Sequence, residues 1–195
     1  MNLLCVSAFE PELTRFRELA PSWITMESAG IGLVECAIGT AELLARHRPA
    51  EAIFLGTAGA ARRFLAINDV IVATSVSLVP GIGAEMIGPT EIRVPTDPAL
   101  LAALTACGAK PATVANTLGV TTKNDLAEHV ASFADVEHLE AYAFVRACVR
   151  ANVPCAVVLG IANDIGERGR AQWKANHEAA SRRCAEVLVD AISRR

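Results

Sequence analysis

The sequence predicts an α/β protein with a central, mostly parallel or mixed β-sheet flanked by helices. Three observations support this prediction. Short apolar runs alternate with helical patterns, the runs are continuously apolar as in strands covered on both faces, and Trp, Tyr and Phe together number only nine. With 195 residues and 52% hydrophobic residues, the chain is long enough to form one well-filled domain over residues 1–195.

Five apolar runs are predicted to be strands, because each is short and rich in β-strand formers. They lie at residues 3–8, 53–56, 70–76, 113–120 and 155–161. Helical patterns occupy residues 11–19, 33–46, 136–151 and 170–195. The third helix is apolar around nearly its whole circumference and is predicted to be buried, whereas the last is amphipathic and covers the outside of the sheet. The Pro- and Gly-containing stretch 78–98 is the least regular segment and is predicted to be a surface or lid-like loop.

Charge and cysteine content narrow the possible functions. Lys and Arg number 18 and Asp and Glu 21, which disfavours nonspecific binding to nucleic acid and a polybasic contact with membranes. The N-terminal apolar run lacks a preceding positive charge, and no stretch approaches the ~18 apolar residues of a membrane span, so we predict a cytoplasmic protein. Six cysteines without a C-x-x-C pair are predicted to be free, mostly buried thiols in a reducing compartment.

Two glycine motifs stand next to predicted strands or helices. The G-I-G motif at 30–32 is followed by Glu35 where a dinucleotide-binding fingerprint needs a third glycine, so NAD binding is not predicted. The second motif directly follows a predicted strand and comprises Gly56, Thr57, Ala58 and Gly59. It either brings backbone N–H groups close to a phosphate or ribose or forms a plain strand-to-helix turn, and composition favours neither alternative.

Carboxylates next to apolar segments are the stronger evidence for a functional site. Glu137 and Glu140 are three residues apart on the predicted third helix and would share one face, either buried at a binding site or exposed in the first helical turn. Asn163 and Asp164 follow the last predicted strand, and Glu12 follows the first. Because open α/β sheets bind ligands at the carboxyl ends of strands, we predict one acidic cleft that contains all three groups.

The histidines and tryptophans give weaker evidence for a functional site. The four histidines show no metal-ligand spacing, so no metal site is predicted. His138 either enters the cleft beside Glu137 or lies at the surface, and the surface is favoured. Trp23 and Trp173 are predicted to be packing residues rather than platforms on which a base stacks.

Six short segments stand in a distinctive order along nearly the whole chain. They are Ala8-Phe9-Glu10-Pro11-Glu12, Ala29-Gly30-Ile31-Gly32-Leu33-Val34, Leu55-Gly56-Thr57-Ala58-Gly59, Asn68-Asp69-Val70-Ile71-Val72, Val136-Glu137-His138-Leu139-Glu140 and Ile161-Ala162-Asn163. This series resembles the purine nucleoside phosphorylase/nucleosidase superfamily, in particular the methylthioadenosine/S-adenosylhomocysteine nucleosidases. The resemblance implies a nucleoside phosphorylase-like three-layer fold, a purine nucleoside as substrate, no metal or organic cofactor, and a homo-oligomer.

The resemblance also implies a role for each matching residue. Glu12 would act as the general base and activate the water that attacks the anomeric carbon. Glu140 would accept hydrogen bonds from ribose hydroxyls with Leu139 packed on the sugar, and Asn163 or its neighbour Asp164 would hydrogen-bond the purine near N7. The substrate pocket would be completed by Gly56, Thr57, Ala58, Gly59 and Glu137.

Some positions point to one branch of the family. Asn163 stands where the family usually has a catalytic Asp, and one residue is inserted between Glu137 and Glu140. These features, with a G-E-R motif at 166–168 and Trp173, resemble futalosine hydrolases, which release hypoxanthine in the menaquinone route. Futalosine hydrolysis is therefore the leading expectation. The alternatives are a methylthioadenosine/S-adenosylhomocysteine nucleosidase, a phosphate-dependent phosphorylase, and a nucleoside-binding protein without catalysis.

Two further expectations concern the reaction and the assembly. Glu12 favours hydrolysis because it supplies a base for water, while Arg62 and Arg63 after the second glycine motif keep phosphorolysis open. Apolar residues in the loop that follows Val76 are candidates for an interface between copies of the chain.

Overall fold

The computed structural model describes residues 2–88 and 90–195. The strands are β1 Leu3–Ser7, β2 Thr25–Ser28, β3 Glu51–Ala60, β4 Val70–Leu78, β5 Glu91–Arg93, β6 Lys110–Asn116, β7 Val136–His138 and β8 Cys155–Asp164. The helices are a short 3₁₀ helix Glu10–Leu13, α1 Thr14–Leu19, α2 Leu33–His47, α3 Pro98–Ala106, α4 Asn124–Ala131, α5 Ala141–Ala151 and α6 Gly169–Ser193.

The eight described strands form one mixed sheet. Its order is β2-β1-β3-β7-β6-β4-β5, and β8 pairs with both β3 and β4. Because β3 also pairs with β7, β7 with β6, and β6 with β4, five strands make a closed ring of hydrogen-bonded pairs. The predicted α/β class with a mixed sheet is therefore confirmed.

Two hydrophobic cores lie on opposite faces of the sheet and give the fold three layers. Along β3, Ile53 and Leu55 face the core shared with α1, α3 and α6, while Phe54 and Ala58 face the core shared with α2 and α5. This alternation follows from the two-residue period of a strand. The last helix packs directly on the sheet at Gly160 of β8, where a Cβ would lie 2.4 Å from the carbonyl oxygen of residue 180.

Several local predictions are wrong. The helix predicted at 136–151 begins only at Ala141, because residues 136–138 are β7 and pair with β6 and β3. The second glycine motif is not a turn, since β3 continues through it to Ala60. The strand predicted at 113–120 lies earlier, at Lys110–Asn116.

Five short elements have no counterpart in the sequence prediction: β2, β5, β7, α3 and α4. Of these, β5 lies within the stretch 78–98, which was predicted to be an irregular loop, and β5 pairs with β4. Position 89 of that stretch lies outside the described residues. The other four elements are nine residues long or shorter, which is too short for a period of apolar residues to be identified.

The cysteines agree with the sequence prediction. All six are free thiols, and five of them are buried while Cys107 is partly exposed. The reducing, cytoplasmic environment stays a prediction. No helix within residues 2–88 and 90–195 combines the length and apolar character needed to cross a membrane.

Candidate active site

A cleft of about 480 Å³ lies beside the carboxyl ends of β1, β3 and β8. Its walls are formed by Ala8, Phe9, Glu12, Ile31, Thr57, Ala58, Gly59, Val120, Thr122, Glu137, His138, Leu139, Glu140, Asn163, Gly169, Arg170 and Trp173. Glu12, Glu137, Glu140 and Asn163, which come from three separate parts of the sequence, thus meet in one cavity. Among the described residues of this wall, Arg170 is the only Lys or Arg, so the cleft is predominantly acidic.

Glu12 is held in the cleft by the end of β3. The 3₁₀ helix that follows β1 contains Pro11 in its first turn and buries Glu12, which is only 6% exposed. The Glu12 Oε1 atom accepts two hydrogen bonds from Thr57, one from the backbone N–H at 2.9 Å and one from the hydroxyl at 3.0 Å. The second oxygen, Oε2, is buried and has no partner at normal hydrogen-bond geometry, although the backbone N–H of Ala8 also acts on this carboxyl and lowers its pKa. One oxygen is therefore fixed and the other is free to accept a proton.

The surroundings of Glu12 raise the pKa of its carboxyl to near neutral pH. Burial raises the pKa of the Glu12 carboxyl to about 7, and the negative charge of Glu140 contributes in the same direction. The two Thr57 hydrogen bonds oppose this shift because they stabilise the carboxylate. A carboxyl group with this pKa exchanges protons readily near neutral pH, as a general base must.

Glu140 connects two helix N-termini at the edge of the cleft. It is the N-cap residue of α5, and its Oε1 accepts a hydrogen bond of 2.6 Å from the backbone N–H of Gly32, the N-cap residue of α2. Gly32 adopts a φ of 86°, which glycine tolerates and other residues rarely adopt. The partial positive charge of a helix N-terminus stabilises a carboxylate at this place.

His138 is buried in the cleft, so the prediction that it lies at the surface is wrong. The backbone N–H groups of Glu140 and Ala141 both donate to its Nδ1 at 3.1 Å. Burial lowers the pKa of His138, while Glu140 opposes this effect. The pattern assigns a neutral ring with its proton on Nε2. A Cβ at Gly56 would lie 3.3 Å from that nitrogen and 3.4 Å from Glu12 Oε1, so this glycine lets the two side chains come close.

Glu137 anchors the loop between β6 and α4. Its carboxylate accepts hydrogen bonds from the Thr117 hydroxyl at 3.0 Å, from the Thr121 backbone N–H at 3.1 Å and from the Thr121 hydroxyl. The prediction that Glu137 and Glu140 share a helix face is wrong, because Glu137 belongs to β7 and Glu140 precedes α5. Both carboxylates are nevertheless buried at the cleft.

Asn163 and Asp164 are consecutive residues of β8, so their side chains point to opposite faces of the sheet. Asn163 faces the cleft opposite Gly59, at a bulge in the β3–β8 pairing, and its Nδ2 donates to the Asp164 carbonyl at 2.8 Å. A Cβ at Gly59 would lie 3.0 Å from this amide nitrogen. Asp164 is exposed and bound to Gln172, and it does not line the cleft. Its expected catalytic role is therefore corrected: successive strand residues point to opposite faces.

Of the other predicted substrate-binding residues, Ala58 and Leu139 line the cleft, whereas Gly56 does not. The cleft also contains residues that were not predicted as site residues: Ala8, Phe9, Ile31, Val120, Thr122, Gly169, Arg170 and Trp173. Trp173 is four positions into α6 and was predicted to be a packing residue, but it borders the cleft and donates a hydrogen bond to Thr57. Trp23, the other tryptophan, is half exposed before β2, so it is not a core residue either. Within residues 2–88 and 90–195, no group of three or more His, Cys, Asp or Glu side chains has the arrangement of a metal site.

Comparison with protein families identifies the chain. The model of the phosphorylase superfamily matches residues 14–193. The protein belongs to the phosphorylase superfamily. No curated protein sequence matches this superfamily member significantly.

Solved structures of the same fold include enzymes that act on nucleosides. Futalosine hydrolase of Helicobacter pylori strain 26695 has a TM-score of 0.88 at 19% identity, with 99% of this chain and 97% of that chain covered. A methylthioadenosine/S-adenosylhomocysteine nucleosidase from Colwellia psychrerythraea 34H, in complex with adenine, has a TM-score of 0.88 at 19% identity over 100% and 95% of the two chains. The corresponding nucleosidase from Neisseria meningitidis, with methylthio-immucillin-A, has a TM-score of 0.88 at 15% identity over 98% of both chains. The TM-scores show that this superfamily member shares their fold, although the sequence identities are only 15–19%.

The raised pKa of Glu12 predicts how stability depends on pH. Between about pH 4.5 and 7 the folded chain keeps the Glu12 proton that the unfolded chain releases, so the free energy of unfolding falls as pH rises through this window. Glu12→Gln removes this contribution, because glutamine has no charge to bury. We expect the variant to be more stable than the parent at about pH 8, by up to about 3 kcal/mol, and to lose this advantage near pH 4.5.

Urea unfolding at several pH values measures this difference, and Glu42→Gln on the exposed face of α2 is the matched control. An equal change of stability with pH in the parent and in Glu12→Gln would contradict the assignment.

Proposed function

We propose that this protein hydrolyses the N-glycosidic bond of a purine nucleoside and releases the free base. The observation that supports this most directly is Glu12, which lines a cleft large enough for a nucleoside and has one buried carboxyl oxygen, Oε2, without a hydrogen-bond partner. As leading substrate we propose futalosine, cleaved with release of hypoxanthine in menaquinone biosynthesis. A methylthioadenosine/S-adenosylhomocysteine nucleosidase activity is the alternative within the same reaction class.

The side chains of the cleft supply the steps of such a reaction. Glu12 Oε2 accepts a proton from a water molecule as the water attacks the anomeric carbon. The sugar develops oxocarbenium character as its bond to the base breaks, and the neighbouring carboxylates of Glu12 and Glu140 stabilise this positive charge. Glu140 also accepts hydrogen bonds from ribose hydroxyls, and Leu139 packs against the sugar. Asn163 hydrogen-bonds the purine, which leaves with the electron pair of the N-glycosidic bond and takes up a proton from solvent, because an amide cannot supply one.

The charges in the cleft favour water over phosphate as the attacking group. Glu12, Glu137 and Glu140 would repel an incoming phosphate, and Arg170 is the single cation in the wall. Arg62 and Arg63, which kept phosphorolysis open in the sequence, are exposed and do not line the cleft. We therefore propose hydrolysis, and treat phosphate dependence as an outcome of the test.

We predict release of free base when the protein is incubated with futalosine, inosine and methylthioadenosine, with futalosine cleaved fastest and phosphate without effect. Glu12→Gln should lower turnover by about 100-fold or more, because it removes the general base, while substrate binding is retained. Chromatography of the free base measures turnover, and the shift of the thermal midpoint by the nucleoside measures binding.

Glu42→Gln serves again as the control, since this exposed side chain is outside the cleft. No base release from any of the three nucleosides would overturn the proposal. A protein that is stabilised by nucleosides but leaves them intact would be a binding protein, and a strict phosphate requirement would indicate a phosphorylase.

We also propose that the protein is a homo-oligomer. Large apolar side chains are exposed around the cleft, at Ile31 before α2, at Val34 and Ile38 on α2, and at Leu118 and Val120 in the loop before α4. Ile31 and Val120 belong both to this surface and to the wall of the cleft. The loop after β4 also exposes Ile82, Met86 and Ile87. Exposed apolar patches of this kind favour burial against a partner, and a second copy of the chain is the simplest partner.

We expect Val34→Glu and Ile87→Glu each to shift the protein towards the monomer, because each places a charge in a surface that the second copy would cover. Light scattering coupled to size-exclusion chromatography measures the mass. Trp23→Glu, at an exposed apolar residue before β2, is the control and should leave the mass unchanged. A parent protein that is already monomeric would contradict the proposal.

A further inference from the structure

Trp173 is bonded to the residue that holds Glu12. Its indole Nε1–H donates to the Thr57 hydroxyl oxygen at 3.2 Å, across 116 positions of sequence. The same hydroxyl contacts Glu12 Oε1 at 3.0 Å. The three side chains therefore form a continuous chain of hydrogen bonds from α6, through β3, to the proposed general base.

The chemistry of the indole sets the direction of this chain. An indole N–H donates and cannot accept, so it must meet a lone pair of the Thr57 oxygen. The hydroxyl hydrogen of Thr57 then points elsewhere, and Glu12 Oε1 is its acceptor at hydrogen-bond distance. Without such a partner, the Thr57 hydroxyl could instead accept a hydrogen bond from the protonated Glu12 carboxyl. Trp173 thus selects the state in which Thr57 donates to Glu12.

The indole ring is itself held in place by its own helix. The ring of His177, one turn later on α6, stacks on the ring of Trp173 with centroids 4.2 Å apart and an angle of 21°. His177 Nδ1 lies 3.1 Å from the Trp173 carbonyl oxygen, and since that oxygen can only accept, Nδ1 carries the proton. The stack fixes both the height and the tilt of the indole above Thr57.

We propose that Trp173 is a positioning residue that orients the Thr57 hydroxyl as a permanent donor to Glu12 Oε1 and so leaves Oε2 as the oxygen of this carboxyl without a partner. The catalytic consequence rests on the proposed hydrolase function, whereas the hydrogen-bond chain itself does not. Trp173 need not touch the substrate to act in this way.

The hydrogen bonds from Trp173 through Thr57 to Glu12 affect the pKa of the Glu12 carboxyl. A hydroxyl that always donates stabilises the carboxylate form, so it holds the pKa of Glu12 at about 7 against the larger effect of burial.

The titratable or charged groups that face Glu12 within the cleft are Glu137, His138, Glu140 and Arg170. A second pocket shares Glu12, Thr57 and Trp173 with the cleft, and there Glu12 faces Arg15 and Glu18 of α1 and His177, Glu178 and Arg182 of α6. Cys184 of α6 lies near Glu12 as well. None of these groups is changed by a substitution at Trp173 that keeps an aromatic ring.

Trp173→Phe is the direct test, because phenylalanine retains a ring that can stack on His177 but has no N–H. We expect the acidic limb of the pH profile of kcat/KM to move up by about half to one pH unit, which is a three- to tenfold loss of kcat/KM below the midpoint and little loss above it. Trp23→Phe makes the same substitution at an exposed site and should leave the profile unchanged.

A double-mutant cycle separates positioning from a structural role of the ring. Thr57→Val removes the hydroxyl, so it should raise the midpoint by itself, and adding Trp173→Phe to it should raise the midpoint no further. Thr57→Ser keeps the hydroxyl and should keep the parent midpoint. Additive shifts in the cycle, or a uniform loss of activity with an unmoved midpoint, would overturn the proposal.

The stability of the protein gives a readout that does not depend on catalysis. The free energy of unfolding falls with rising pH until the pH reaches the pKa of Glu12 in the folded protein. Because Trp173→Phe should raise this pKa, the fall should continue to a higher pH in the variant than in the parent. If no nucleoside is cleaved but this window moves, the proposed function fails and the hydrogen-bond chain stands. If nucleosides are cleaved and neither the activity midpoint nor the stability window moves, the role of Trp173 is wrong.

Discussion

The two hydrogen bonds from Thr57 to one oxygen of Glu12 are the interaction on which the site depends. They satisfy Oε1 inside the protein and leave Oε2 without a partner. A buried carboxylate with neither oxygen bonded would be costly to keep charged, whereas one with both oxygens bonded would leave no oxygen without a partner. The half-satisfied carboxyl has a pKa of about 7 and an oxygen that is available to a ligand or to water.

The fold supplies this geometry by bringing strand ends and helix starts to one place. The closed ring of β3, β7, β6, β4 and β8 carries Thr57 and Asn163 on neighbouring strands. The 3₁₀ helix after β1 presents Glu12 to β3, and the N-termini of α2 and α5 meet at Glu140. Glycines 56 and 59 are required where side chains from other elements approach the backbone of β3 most closely. Such a site is rigid because each member belongs to an element packed on a hydrophobic core.

Much of this could be predicted from the sequence, and the exceptions have physical causes. The alternation of apolar runs and helical patterns gave the fold class, and Glu12, Glu140 and Asn163 were found as polar residues following apolar strands or beside them. Asp164 was assigned to the site because sequence alone does not show which face of β8 a residue occupies. Residues 136–138 looked helical because a three-residue strand has no measurable period, and the contact between Trp173 and Thr57 joins residues 116 positions apart.

A crystal structure with a non-hydrolysable purine nucleoside analogue in the cleft tests the central claim most directly. We predict an ordered water within hydrogen-bond distance of Glu12 Oε2, facing the anomeric carbon on the side opposite the base, with the Thr57 bonds to Oε1 retained. A ligand whose anomeric carbon is shielded from Glu12 by another group, or a Glu12 carboxyl turned away from the cleft, would contradict the assignment of Glu12 as the general base.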